Sequence, residues 1–486
     1  MGGGLLQLVA YGAQDAYISA NPQITFWKGL YKRHTNFAME AFRVNFTGQA
    51  AWGTKHSAVL SRHADLCYTT YLEVVMPAGL YNNDQGRMGY NLIKYVDLDI
   101  GGQKIDRLYG EWLYLWDSLT SDFMTSKKLW NMVGGGPSTP SLTQNYTDYV
   151  AGNVTTTSVF NGASASTYAT ATATTVVNGV TLPVMGTKAS TITLSDPTQC
   201  NTGNGKPSIP NVFYIPLTFF YTKNPGAALP LIALQYHEVK IELQWNEMQA
   251  IKGNFNSPYA DGANASSGSF PSQPIQAAIY VDYIYLDVEE RRRMAQQSHE
   301  YLIEQTQYNE DKGISSYNNR IDLTFNHPVK ELVWVVQPTS YTNCKIAQKF
   351  SSTRLQPFTY DQEAVYEQWI QINGQDRMDR RYGDYFNQPQ MYQHHSGIGA
   401  TIQTSTSLPV HQAGIYMYSF ALRPEEHQPS GTCNFSRIDT ATIVMNLSGA
   451  AVIDESVDAT YDVRVYATNY NILRIMSGMA GLAYSN

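Results

Sequence analysis

The chain has 486 residues, of which 43% are hydrophobic and 15% charged, and its formal net charge is −7. This suits a packed globular protein of two or three domains and excludes a disordered one. It also argues against a strongly basic nucleic-acid-binding face, while four scattered cysteines without CxxC spacing argue against a zinc site or a disulfide framework.

Residues 1–25 read as an N-terminal arm. They carry few charges, and the apolar Leu5, Leu6, Leu8, Val9, Tyr11 and Tyr17 follow no regular period. The stretch lacks the basic and long apolar regions of a secretory signal, and no apolar run in the chain reaches the roughly 18 residues of a membrane span. The protein is therefore expected to fold in a reducing cytosol.

Beyond the arm the local pattern has period two. "YVDLDI" (95–100), "KIELQW" (240–245), "AIYVDYIYLDV" (278–288), "IDLTF" (321–325) and "DVRVY" (462–466) alternate apolar and polar residues. That is the mark of half-buried strands. Helical periodicity is confined to 110–133 and a shorter stretch at 230–239. Strands and helices do not alternate, which argues against a parallel α/β enzyme fold. Residues 134–210 are rich in Ser, Thr, Gly and Asn and nearly uncharged, and read as a long exposed loop with some local β structure near 171–182.

One motif occurs twice. "IGGQKIDRLYGEW" (100–112) aligns, with one inserted residue, with "INGQDRMDRRYGDY" (372–385). Gly102, Gln103, Asp106 and Arg107 meet Gly374, Gln375, Asp379 and Arg380. Tyr109 and Gly110 meet Tyr382 and Gly383, and Glu111 and Trp112 meet Asp384 and Tyr385. The segments that follow keep the same order in both halves. Two homologous β domains are expected, 26–298 and 299–486, with 134–210 as an insertion in the first. The motif itself reads as a structural turn in which Asp and Arg pair.

Catalytic signatures are absent: there is no GxSxG, HExxH, P-loop or strand-borne GxGxxG. His394 and His395, read as neighbours on a strand, point to opposite faces and suit no shared metal. Asp97, Asp99 and Asp287 could furnish the carboxylate pair of a β-sandwich glycosidase, but read better as wet strand faces. No catalytic residue, metal or cofactor is expected. N-x-S/T sequons at Asn45, Asn145, Asn153, Asn264, Asn434 and Asn446 are candidate glycosylation sites, although chance accounts for them in so Asn-rich a chain.

Several stretches closely resemble the major capsid proteins of the nucleocytoplasmic large DNA viruses that infect algae and of their giant relatives. They are "GGGLLQLVAYGAQDAYISANPQITFWKGLYKRHTNF" (2–37), "GGQKIDRLYGEW", "PGAALPLIALQYHEVKIEL", "VDYIYLDVEER", "HEYLIEQ", "QPSGTCNFSRID" and the final "YNILRIMSGMAGLAYSN". The resemblance covers nearly the whole chain and is weakest at 134–210 and about 345–368. It implies an all-β protein of two tandem eight-stranded antiparallel jelly rolls with short helices. It further implies homotrimers of pseudo-hexagonal outline that tile an icosahedral shell. The partners implied are the chain itself, minor capsid and penton proteins, and an inner viral membrane nearby, with no direct nucleic-acid contact. Assembly would take place in the host cytoplasm. The arm would be ordered at the base of the trimer, the C-terminal segment buried, and the 134–210 loop outermost. The rival reading is a jelly-roll carbohydrate-binding protein or adhesin, which would act as a monomer.

Overall fold

The computed structural model describes residues 2–10, 12–27, 29, 31–48, 50–75, 88–122, 125, 128–129, 132–133, 174–177, 180–183, 212–247, 276–339, 364–397, 401–402, 410–411, 414–447 and 460–484. The Tyr11, Asn145, Asn153 and Asn264 expectations lie outside these residues. So does the 134–210 loop, except for an antiparallel pair, Thr174–Val177 with Val180–Pro183.

Eight strands build the first half: β1 (Phe37–Asn45), β2 (Lys55–Leu60), β3 (Leu66–Val75), β4 (Ile93–Ile100), β5 (Gln103–Tyr109), β6 (Val212–Pro216), β7 (Val239–Trp245) and β8 (Gln276–Leu286). They form two antiparallel sheets, ordered β1-β8-β3-β6 and β2-β7-β4-β5. The period-two pattern sets the faces. Along β7, Val239, Ile241, Leu243 and Trp245 are buried while Lys240, Glu242 and Gln244 are not. These four meet Leu72, Val74, Ile279 and Val281 of the other sheet in one core. Each such side chain contributes about 1.5–3 kcal/mol by leaving water.

The second half repeats the plan with β9 (His299–Ile314), β10 (Asn318–Asp322), β11 (Pro328–Pro338), β12 (Val365–Ile372), β13 (Gln375–Asp376), β14 (Ile415–Ser419), β15 (Ala441–Leu447) and β16 (Tyr461–Met476). Its sheets run β9-β16-β11-β14 and β10-β15-β12-β13. If strands are counted from one to eight in each half, both halves read 1-8-3-6 and 2-7-4-5. The duplication seen in the residues is thus a duplication of topology.

Helices are short. Those around the contact between the halves are α1 (Gly110–Thr120), α2 (Val288–Gln296), α3 (Gly383–Asn387) and α4 (Pro389–His394); Gly3–Val9, Ala16–Ser19, Met88–Leu92 and Phe220–Lys223 are also helical. The helical pattern read at 110–133 yields an α1 that ends at Thr120, where Ser121 turns extended. The helix expected at 230–239 is only a 3-10 turn, Leu231–Ala233. Leu231, Ala233 and Leu234 are buried, but Pro230 pairs with Leu66 of β3, and the Tyr236 N–H donates to Gly478 O. Tertiary partners there replace helical hydrogen bonds. His394 and His395 close α4 rather than sit on a strand.

Candidate assembly surfaces

The repeated motif opens on a two-residue hairpin in each half. Ile100 pairs with Gln103 across Gly101 (φ +63°) and Gly102 (φ +85°). Ile372 pairs with Gln375 across Asn373 (φ +50°) and Gly374 (φ +75°). Two successive positive φ angles define the hairpin turn that matches strand twist, and Gly and Asn tolerate them. Asp99 Oδ1 accepts from the Gly102 N–H at 2.8 Å. Asn373 Oδ1 accepts from the Asp439 and Thr440 N–H groups.

The motif's Asp and Arg do not pair with each other. Arg107 stands across the hairpin from Asp97 and binds it through two bonds, Nε–Oδ1 at 2.6 Å and Nη2–Oδ2 at 2.7 Å. The guanidinium lies over the Tyr95 ring, 4.0 Å from its centroid. Arg380 likewise lies over Trp369 at 4.5 Å. In both halves the motif arginine stacks on an aromatic ring of the preceding strand.

Asp106 does other work. It is buried, and its Oδ1 accepts from the N–H groups of Arg107 and of Thr306 in β9. Asp379 is exposed. The shared Tyr-Gly then starts a helix, with Gly110 or Gly383 as its first residue. A Cβ on Gly110 would run into the carbonyl oxygens of Ile93 and Tyr90, and one on Gly383 into that of Val365. Only glycine lets the helix start so close to the strand.

The first copy of the motif leads directly into the contact between the two halves. Trp112, Trp116 and Leu119 of α1 share a core with Val333, Val335, Ile415, Met417 and Tyr466 of the second half. Charges cross the contact as well. Arg464 Nε donates to Glu111 at 2.8 and 3.0 Å, its Nη2 to Gln337 at 2.7 Å, and the Tyr466 hydroxyl donates to Glu111 at 3.0 Å. Lys330 and Lys223 both hold Glu304, at 2.6 and 2.9 Å. His395 donates to Glu331 at 3.0 Å and to Glu425 at 2.9 Å. Next to it, the Ser396 hydroxyl donates to Thr120 O.

Burial alone would push the His395 imidazole down, but its two carboxylate partners outweigh it and hold it up at about 9. Glu304 goes the other way: burial opposes its charge, yet the two lysines hold it down at about 2. Asp106 has no such cation at hydrogen-bond distance among the described residues, and burial pushes it up to about 7. The sequence signals this network only weakly, through charged residues inside an apolar run, "VKELVWVV" (329–336).

The C-terminal hairpin, residues 479–482 against β16, closes on the first half. The Ala480 N–H donates to His237 Nδ1 and the Leu482 N–H to Gln103 Oε1. Leu473, Ile475 and Ala480 are buried.

The N-terminal arm lies open. Leu5, Leu6, Leu8, Val9 and Tyr17 are all exposed, as are Ile24, Phe26 and Trp27 after them. Of the sequon asparagines that are described, Asn45 is exposed at the end of β1. Asn434 is exposed, and its Oδ1 accepts from the Ser436 N–H. Asn446 is 5% exposed and bonded to Asn318 and Glu367, so it cannot carry a glycan in the folded chain. Two of the aspartates weighed for catalysis have structural partners, Asp97 binding Arg107 and Asp99 capping the hairpin, and the third, Asp287, stands at the N-cap of α2. Among the described residues no group of three His, Cys, Asp or Glu could hold a metal, and no helix is long and apolar enough to cross a membrane.

Two β-sandwiches in tandem, each with the 1-8-3-6 and 2-7-4-5 order, define a double jelly-roll protein. The family model of the large eukaryotic DNA virus major capsid protein matches residues 290–481, and that of the major capsid protein N-terminus matches residues 25–287. Over the full length of both chains, the protein is 40% identical to the major capsid protein of Pyramimonas orientalis virus and 39% identical to that of Phaeocystis pouchetii virus. The solved PBCV-1 virus capsid superposes with a TM-score of 0.67 and 31% identity, covering 95% of this chain and all of the other. The Faustovirus major capsid protein shares the fold alone, at a TM-score of 0.61 and 11% identity over 96% of this chain and 94% of the other. The chain belongs to the major capsid protein family of the large eukaryotic DNA viruses, and its place is in the virion capsid.

Proposed function

We propose that the chain forms homotrimers of pseudo-hexagonal outline and that these capsomers tile the icosahedral shell of a large DNA virus. The observation that carries this is the identical strand order of the two halves. Three chains then offer six like lobes, which fill a hexagonal lattice. In this reading residues 26–298 and 299–486 are the two jelly rolls. The arm, residues 1–25, is covered at the base of the trimer, and the 134–210 loop lies on the outer surface. Neighbouring capsomers, minor capsid proteins and penton proteins complete the shell over an inner membrane, with assembly in the host cytoplasm. The net charge of −7 disfavours direct contact with the genome. The role is structural, with no turnover.

Light scattering after gel filtration tests the reading. Three chains of 54.3 kDa give about 163 kDa, and negative-stain images of that species should show six lobes. A stable monomer with measurable glycan affinity would sink the capsomer reading and favour a carbohydrate-binding role.

A further inference from the structure

Between the arm and β1 the chain runs through residues 26–36, "FWKGLYKRHTN". Its sign is opposite to that of the protein as a whole: Lys28, Lys32 and Arg33 fall here, and no Asp or Glu occurs between Asp15 and Glu40, in a chain of net charge −7. Phe26 is wholly exposed, and Trp27 and Tyr31 are 87% and 95% exposed. Lys32, Arg33 and His34 are exposed beside them, and neither Lys32 nor Arg33 holds a carboxylate among the described residues. Large rings left this bare gain only by meeting another phase or surface.

The segment leaves the first sandwich at one end of the molecule. Phe37 pairs with Leu286, α2 begins two residues later, and His299 beyond it pairs with Ile475. The turn at Ser477 and Gly478 lies at this end too, held by the Tyr236 N–H. Tyr236, Met476 and Met479 are exposed there. The carboxylates of this end have cations beside them. Glu238 meets Lys240 at 3.1 Å and Glu300 meets Arg474 at 2.8 Å. Asp287, Glu289 and Glu290 stand in and before a helix that carries Arg291, Arg292 and Arg293. The uncompensated charge of this end is therefore the positive charge of residues 26–36.

We propose that residues 26–36 bind the surface of an anionic lipid bilayer. Trp and Tyr rings favour the depth of the headgroups, where one edge is dry and the other wet, and Lys and Arg at the same depth meet lipid phosphates and carboxylates. A protein groove would read anchors at a regular spacing, but Phe26, Trp27 and Tyr31 follow neither a helical nor an alternating period. Single-stranded nucleic acid also takes rings and cations, yet it has no use for Met476 and Met479, which a bilayer does. The inference goes beyond the capsomer reading, because the segment is bare and cationic in a single chain.

Flotation of the full chain with phosphatidylcholine vesicles containing about one third phosphatidylserine tests this, with light scattering recording which oligomer is present. Binding is expected, and on phosphatidylcholine alone it should be at least about tenfold weaker. Lys32→Glu/Arg33→Glu should lose binding to the same degree with an unchanged unfolding midpoint, since both side chains are exposed. Tryptophan emission should shift to the blue on vesicles and be quenched by brominated acyl chains, and Trp27→Phe should abolish both changes. Undiminished binding by the charge variant, emission changes that survive Trp27→Phe, or a preference for single-stranded DNA over vesicles would each overturn the inference. A trimer that does not float overturns it and leaves the capsomer reading intact. A monomer that floats supports it while the capsomer reading falls.

Discussion

Arg464 and Glu111, separated by 353 positions in the chain, meet at 2.8 Å and tie the last long strand to the helix that follows the first hairpin. Arg464 is 7% exposed, and its Nη2 also donates to Gln337 Oε1. Removing one member leaves a buried charge without its partner, which costs about 3–5 kcal/mol. Glu111→Ala should lower stability by that amount in urea denaturation. Glu111→Leu with Arg464→Met should recover most of it, because no orphan charge remains. A single variant within about 1 kcal/mol of the parent would show that the pair is incidental.

The pH dependence has two windows with one sign. His395 is raised from 6.5 to about 9, so its contribution is full below 6.5 and falls away as pH climbs to about 9. Asp106 is raised from 3.8 to about 7, so ionising it as pH rises through that range also weakens the fold. Stability should therefore decline from mild acid to mild alkali. Asp106→Asn should flatten the lower part of the curve and His395→Gln the upper part. Urea midpoints at half-unit intervals from about pH 4.5 to 9.5 would reveal both, and parallel curves for parent and variants would rule the assignment out.

The glycines of the repeated motif should fail in different ways. A methyl group on Gly102 would have nothing within 4 Å of it, so Gly102→Ala meets only the left-handed backbone penalty, about 1–2 kcal/mol. Gly110→Ala drives a methyl group into two backbone carbonyls that cannot move aside. Its cost should exceed about 3 kcal/mol. Comparing soluble yield and thermal midpoint of the two variants separates conformational from steric cost.

The arm offers a test of assembly rather than folding. Leu8 is 80% and Tyr17 93% exposed, and such side chains gain only by meeting another surface. Deleting residues 1–25 should leave the unfolding transition of the two sandwiches in place and reduce trimer yield. Undiminished trimers would remove the arm from the assembly.

Strands exposed on one face were legible because their alternation survives folding, as β7 shows. β16 was harder to read. Its residues are buried on both faces, Val463 and Val465 toward the second core and Tyr466 toward α1, so Arg464, Asn469 and Asn471 lie inside despite their polarity. Nothing near them in the chain announces partners hundreds of residues away. The repeated turn was visible since φ > 0 demands Gly or Asn locally. The pairing of Arg107 with Asp97 rather than Asp106 depends on hairpin register, which residue types alone do not fix.

The cover over α1 also sets a schedule for synthesis. The last strand of the first sandwich ends at Leu286, but β16, which shields Trp112, ends at Met476. At about 5–20 residues per second, those roughly 190 residues take about 10–40 s to emerge from the ribosome. For that interval a finished lobe carries a helix whose tryptophans lack the cover that the second half later supplies, in a cell filling with identical nascent chains. The same stickiness that later joins the lobes must first be kept from joining strangers.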